Sequence, residues 1–320
     1  MTLPVHVDLR WGGRTSSGAR RVAVVGYGAM GRLHTKSLRA LPRTFVVGGY
    51  FDLATSDEGA LQDAAHGIHR YASEADAIAD SDIVFVTTPT DSHSQVVMRT
   101  LAAGRDVFVE KPVGATSAEA AAMLEAARRS GRRIFVGHSE RFNPVVRALV
   151  RLVPPGTIRS IAMRRVVPSS RARDREGLIL NLGVHDLDLA AYLTHSPLEP
   201  RSASGGAQHA DLALSASRGC AVRIHLGGAG PRERSLRIET RDAIYRGDLL
   251  TFRVSVTSRR TGDTRAIAVD LAEPLIEQAR AIQRALDGRR EGEIATGRDG
   301  ARAVHAAERS IGLLHFGLLS

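Results

Sequence analysis

Lys111 closes the run Val107-Phe108-Val109-Glu110-Lys111-Pro112, a short apolar strand that ends on a carboxylate and an ammonium. Upstream lies Val24-Val25-Gly26-Tyr27-Gly28-Ala29-Met30-Gly31, which fits G-x-G-x-x-G. In that pattern the first glycine allows the tight turn. The second lets backbone amides approach a pyrophosphate, and the third allows close helix–strand packing. Asp52 follows at the expected distance of about 20 residues and suits the adenosine ribose hydroxyls. Leu53, Ala54, Thr55 and Ser56 come next, with no Arg or Lys to balance a 2′-phosphate, so NAD is favoured over NADP. Thr87, Thr88, Pro89 and His93 end an earlier apolar run and read either as a wall against the nicotinamide or as a plain structural turn. A third piece is Leu180-Asn181-Leu182-Gly183-Val184-His185-Asp186-Leu187-Asp188. If it is helical, Asn181, His185 and Asp188 share a face at i, i+4 and i+7. His185 is then a proton carrier suited to neutral pH.

The elements that must position these residues are legible. Arg21 to Val25 is a strand, and Met30, Leu33, His34, Ser37, Leu38 and Leu41 recur at helical spacing until Pro42. Strands are expected over Phe45 to Phe51, Asp82 to Thr87, Asp106 to Val109 and Ile134 to Val136. Helices are expected over Ser73 to Ala79, Ser92 to Ala103 and Thr116 to Ser130. This alternation predicts a doubly wound parallel sheet, with ligands at the carboxyl ends of its strands. Glu110 and Lys111 stand at such an end. Beyond about residue 138 the pattern changes. Leu178 to Leu193 reads as one apolar helix, and about Arg201 to Val269 reads as successive hairpins. Two helices finish the chain near Pro274 to Leu286 and Gly300 to Leu314. The expected organisation is a tail over 1–19, a dinucleotide-binding α/β domain over 20–138 and an α+β domain over 139–320.

Composition narrows the function classes. The chain has 320 residues, 43% hydrophobic and 24% charged, an ordinary globular mixture. No apolar run approaches the ~20 residues of a membrane span, and no signal-like segment opens the chain, so a cytoplasmic enzyme is expected. The single cysteine, Cys220, rules out an intrachain disulfide framework and a Cys-based zinc site, and no metal is expected. A net charge of +10 raises nucleic acid as a partner, but aromatics are only 4%, so stacking platforms are scarce.

The three motifs in this order resemble the glucose–fructose oxidoreductase / inositol dehydrogenase (Gfo/Idh/MocA) family: Gly26 to Gly31 with His34, then Glu110-Lys111-Pro112, then Gly183-Val184-His185-Asp186-Leu187-Asp188. The resemblance runs from about Arg21 to about Gly312. It implies an N-terminal Rossmann domain and a C-terminal domain with an open, mostly antiparallel sheet, through which dimers or tetramers form. It implies pyridine-nucleotide-dependent hydride transfer at a carbon of a sugar or polyol, with Glu110 and Lys111 beside the cofactor. Lys111 and His185 are then the catalytic pair. His185 takes the hydroxyl proton and Lys111 stabilises negative charge on the oxygen. Val136-Gly137-His138-Ser139-Glu140-Arg141-Phe142-Asn143-Pro144, with Arg164 and Arg165, looks like the branch that includes UDP-N-acetylglucosamine 3-dehydrogenases. Arg141, Asn143, Arg164 and Arg165 thereby become substrate candidates. With Arg171, Arg173 and Arg175 the last two form a basic cluster suited to a diphosphate, or to a mobile loop or oligomer contact. One departure stands out. Where the family usually has an aspartate four residues before the histidine, this chain has Asn181, which carries no charge. That favours a reductase role or an altered substrate, and leaves a redox-inactive cofactor-binding protein as the alternative.

Overall fold

A computed structural model describes residues 18–53, 67–168, 177–206, 208–289 and 292–316. The N-terminal half winds β1 (Arg20–Val25), α1 (Ala29–Arg39), β2 (Phe45–Phe51), α2 (Glu74–Ala79), β3 (Ile83–Val86), α3 (Thr90–Ala102), β4 (Asp106–Val109), α4 (Ser117–Ser130) and β5 (Ile134–Val136). The capping signals are used as written. Ser73 caps α2 through the Asp76 amide, Thr116 caps α4 through the Glu119 amide, and Gly131 closes α4 in the left-handed conformation. Strands β3, β4 and β5 are buried throughout, as a parallel sheet covered on both faces requires.

The second half begins with α5 (Pro144–Leu152) and β6 (Ser160–Val166). A π-helical segment, Leu178–Gly183, then runs straight into α6 (Val184–Thr194). Next come β7 (Glu199–Gly206), β8 (His209–Ser215), β9 (Ala221–Gly227), β10 (Glu233–Glu239), β11 (Ala243–Asp248), β12 (Arg253–Ser258) and β13 (Thr264–Ile267). The chain closes with α7 (Pro274–Leu286), the two-residue β14 (Ala295–Thr296) and α8 (Gly297–Phe316). The eight strands β6–β13 form one sheet, ordered β13-β12-β11-β10-β6-β9-β8-β7 and antiparallel except for the central β6/β9 pair. Alternation along these strands puts Leu212, Leu214, Val222, Ile224, Leu236 and Ile238 into a core with Val145 and Leu149 of α5 and Leu187 and Leu193 of α6. Helices thus cover one face and, among the described residues, leave the other open.

Two features of the fold bear on the site. The first sheet is ordered β14-β5-β4-β3-β1-β2, so the direction of winding reverses between β1 and β3. A ligand crevice is expected at that switch point. The chain also returns to its own beginning. β14 pairs antiparallel with β5, and Ala279, Ile282 and Ala285 of α7 share a core with Val22, Leu38 and Phe85. The segment from 139 onward therefore supplies an edge strand and a covering helix to the N-terminal sheet. This exchange ties the two halves together and is not visible as a motif.

Candidate active site

The glycine turn sits at the switch point. Gly26 has φ +91°, and a Cβ there would lie 2.5 Å from the Thr88 amide nitrogen. Only glycine lets the loop after β1 press against the loop after β3. A Cβ on Gly31 would meet the Gly26 carbonyl at 2.3 Å, so this position packs the first turn of α1 on the strand. At Gly28 a Cβ would meet nothing within 4 Å. Gly28, Ala29 and Met30 face the open side of the turn, and no side chain caps α1. An uncapped helix start beside an open backbone surface fits a pyrophosphate.

The other cofactor candidates surround this turn. Tyr27 is buried, with its ring stacked on Tyr50 at 3.9 Å between centroids, and its amide donates to Asp52 Oδ2. Asp52 is thereby held at the end of β2, beside the turn. Thr87 Oγ1 donates to the Gly26 carbonyl, and Pro89 is the N-cap residue of α3. His93 is buried, with its two ring nitrogens each 2.8 Å from a carbonyl oxygen, that of Pro112 and that of Thr88. His93 therefore holds the loop after β3 to the loop after β4, and its ring does not line an open surface.

Glu110 has a similar structural task. Its buried carboxylate lies 2.7 Å from His34 Nε2 of α1 and accepts from the Lys111 amide at 3.1 Å. A Cβ on Gly137 would lie 2.8 Å from this carboxylate, so the glycine after β5 makes room for it. His34 and Lys111 hold Glu110 below the ordinary carboxylate range, although burial pushes the other way. Glu110 locks α1 to the end of β4 and so aims the next residue.

Lys111 is half-buried, and its Nζ donates to the Asn181 carbonyl at 2.9 Å. An ammonium has three protons, so others remain for a substrate oxygen. Burial, with Arg165 and Arg234 nearby, lowers its pKa, while Glu110 opposes the shift. His185, at the start of α6, is close enough to feel the Lys111 charge. Burial first, then Lys111, Arg165, His138 and Arg234, hold the imidazole well below its ordinary value, so it is neutral at pH 7. Its Nδ1 is buried without a hydrogen-bond partner among the described residues, which leaves Nε2 as the ring nitrogen for a ligand. A cation beside a neutral imidazole can bind and deprotonate a hydroxyl group.

The expected shared face forms only in part: His185 and Asp188 both lie in α6, near His138, whereas Asn181 falls in the π-helical segment before it. The π-helical segment closes i→i+5 bonds and shifts the register before α6 begins. Asn181 is exposed and contributes its main-chain carbonyl, whereas Asp188 is buried against Arg141. Gly183 lets this segment seat on β9, where a Cβ would strike Leu226 at 2.7 Å.

The arginine and asparagine candidates are mostly engaged elsewhere. Arg141 is 5% exposed and forks onto Asp188, with Nε at 2.8 Å and Nη2 at 2.6 Å, while its guanidinium lies over the Tyr192 ring. Asn143 caps α5 through the Val145 amide and donates to the Leu249 carbonyl. Arg165 is 2% exposed, bidentate to Asp186 at 2.7 and 3.0 Å, and also bonded to Glu140, which in turn accepts from Arg234. Arg164, one residue earlier, points to the opposite face of the sheet and pairs with Glu233. A strand cannot send neighbouring side chains to one site, so Arg164 and Arg165 cannot act as a joint fork. Arg171, Arg173 and Arg175 lie outside the described residues, as do residues 54–56 after Asp52.

The Glu140–Arg165–Asp186–Arg234 network, the His34–Glu110 pair and buried His138 were not singled out in the sequence. His138 offered the clearest signal, a histidine directly after the Val136-Gly137 strand end. The network joins residues far apart in sequence and left no local signal. Among the described residues no group of three or more His, Cys, Asp or Glu could hold a metal, and no helix is long and apolar enough to cross a membrane.

Residues 20–138 match the family model described as "Oxidoreductase family, NAD-binding Rossmann fold". A UDP-N-acetylglucosamine 3-dehydrogenase from Acidithiobacillus ferrooxidans is 29% identical over 269 residues, 79% of this chain and 83% of that protein. An inositol 2-dehydrogenase from Rhizobium meliloti is 27% identical over 182 residues, 54% of each chain. The chain spans little more than half the length of several curated relatives it matches. The solved structure of UDP-N-acetylglucosamine 3-dehydrogenase GnnA from A. ferrooxidans superposes with a TM-score of 0.84 at 24% identity, covering 92% of this chain and 98% of that one.

Proposed function

Since the chain belongs to the Gfo/Idh/MocA oxidoreductase family, we propose that it is an NAD-dependent dehydrogenase or reductase acting on a secondary alcohol or ketone of a sugar-type substrate. Within that class we favour a nucleotide-linked or amino sugar. The observation that carries the reading is Lys111, just past the end of β4, held by the Asn181 carbonyl beside neutral His185. NAD, when bound, would supply the acceptor or donor of hydride at that carbon. In oxidation His185 Nε2 takes the hydroxyl proton, and the Lys111 ammonium stabilises the charge that develops on the oxygen. In reduction the same groups return the proton. Asp52 serves the adenosine ribose, and the amides around Gly28 serve the pyrophosphate. The preference for a nucleotide-linked sugar rests on the 29% identity to the UDP-N-acetylglucosamine 3-dehydrogenase along most of both chains.

The test is absorbance at the reduced-nicotinamide band with NAD and, separately, UDP-N-acetylglucosamine, free N-acetylglucosamine and myo-inositol. Turnover of the nucleotide sugar well above the other two is expected. Turnover of myo-inositol alone overturns the nucleotide preference. If none reacts and neither NAD nor NADP binds, the redox reading itself fails.

A further inference from the structure

The reading above leaves His185 without the carboxylate expected four residues earlier, and the structure offers another group in its place. His138, directly after β5, is 1% exposed, and neither of its ring nitrogens has a hydrogen-bond partner among the described residues. Its ring meets that of His185 edge to face, 6.2 Å between centroids. His185 Nδ1 is also buried and unpartnered, so this one ring pair holds three enclosed nitrogens that lack partners. Buried polar atoms are rarely left so. His138 Nδ1 lies 3.8 Å from Asp188 Oδ2, and Asp188 is fixed by the Arg141 fork.

We propose that His138 is the positioning residue for His185, a second imidazole whose edge-to-face packing holds the His185 ring in place and whose charge is coupled to the proton it takes. In the oxidation direction one proton moves. It leaves the substrate hydroxyl for His185 Nε2, and the proton already on His185 Nδ1 stays there, facing the His138 ring. Asp188 lies 3.8 Å from His138 Nδ1, beyond hydrogen-bond reach, and supplies from there the negative charge that Asn181 does not. The other groups that act on His138 are Lys111 and Glu110 from the end of β4, Arg141 from the turn before α5, and His185 on α6. Burial and the two cations favour its neutral form, and Asp188 and Glu110 oppose them. The pair therefore holds at most one extra proton, as a coupled unit. The proposal rests on the functional reading for its purpose but not for its test.

The experiment is a pH titration of the ring nitrogens by NMR, between about pH 4 and pH 9. It uses the full chain labelled with 15N-histidine, without nucleotide or sugar. His138→Gln and His185→Gln assign the two rings. In the unmodified protein both rings should change together in one step, and in each variant the surviving ring should titrate alone with a displaced midpoint. Separate steps in the unmodified protein overturn the proposal, and that measurement holds even where a variant folds poorly. An unchanged His185 midpoint in folded His138→Gln overturns it as well. With UDP-N-acetylglucosamine and NAD, the acid limb of kcat/KM should move in His138→Gln while the KM for NAD stays put. If the unmodified protein turns over no sugar, the functional reading fails while the titration still decides the role of His138.

Discussion

At the scale of single residues, the site contrasts groups that face a ligand with groups that hold them in place. Lys111 is the clearest case of the first kind, since its Nζ is anchored by one carbonyl and retains protons for another oxygen. Lys111→Ala should leave NAD binding nearly intact and lower turnover by about 10²–10³-fold, the range seen when one preorganised donor is lost. Equal turnover, measured at saturating NAD, would remove Lys111 from the chemistry. Asn181 contributes through its backbone, which any residue supplies. Its side chain is exposed, yet a carboxylate there would favour the imidazolium form of His185. Asn181→Asp should shift the acid limb of the oxidation profile to higher pH, because His185 must be neutral to accept a proton. A profile identical to the unmodified enzyme would place residue 181 outside the proton path.

At the scale of elements, the strand–turn–helix at the N-terminus uses three glycines for three different reasons, and substitution can separate them. Gly31→Ala would push a methyl into the Gly26 carbonyl and should lower the melting temperature. Gly28→Ala meets open space in the protein alone, so it should melt with the parent and yet bind NAD at least about tenfold more weakly, because the methyl occupies the approach to the amides. Calorimetric melts and NAD titration of both variants check this. Parent-like NAD binding by Gly28→Ala would move the pyrophosphate elsewhere. The π-helical segment before α6 is the other decisive element. It turns the Asn181 carbonyl toward Lys111 and leaves His185 at the first turn of α6.

For the whole molecule, ionic pairs enclosed between elements set the response to acid. Glu110 is held below its ordinary range by His34 and Lys111, and Asp188 by Arg141 and His138. A carboxylate with a depressed folded-state value adds stability that is fully present above its unfolded value, near 4. That stability is lost as pH falls through the folded value. Stability should therefore hold through neutrality and drop in the acid range. Glu110→Gln should flatten part of that drop and cost about 1–3 kcal/mol near neutrality, as read from melts across pH. An unaltered acid slope would mean that the pair with His34 contributes no pH dependence. The open face of the eight-stranded sheet carries Arg164 paired with Glu233, His225 with Asp211, and Arg237 and Arg259 with Glu239. We propose that a second copy covers this face. Light scattering should then give a multiple of the monomer mass, and a monomer at micromolar concentration would refute it.

Local chemistry settled much of this protein before any fold was known. Glycine spacing, the β-branched runs of β1 and β3, the caps on Ser73 and Thr116, and the placement of Lys111 at a strand end are short-range properties. The peptide backbone answers them the same way in most contexts, which is why the parallel sheet of the first half and the strand end that carries Lys111 were legible. What the sequence could not supply was the burial and direction of side chains whose partners lie far along the chain. Arg141, Asn143 and Arg165 read as ligands for a substrate because the stretches that carry them resemble a branch of the family that acts on a nucleotide sugar. The tertiary structure spends them on Asp188, the start of α5 and Asp186. Asn181 left the face of His185 because a π turn replaced an α turn before α6, in a segment that Gly183 seats on β9. His138 became visible only when the ends of β5 and the start of α6 met, since an unpartnered nitrogen is a property of surroundings and not of residue type.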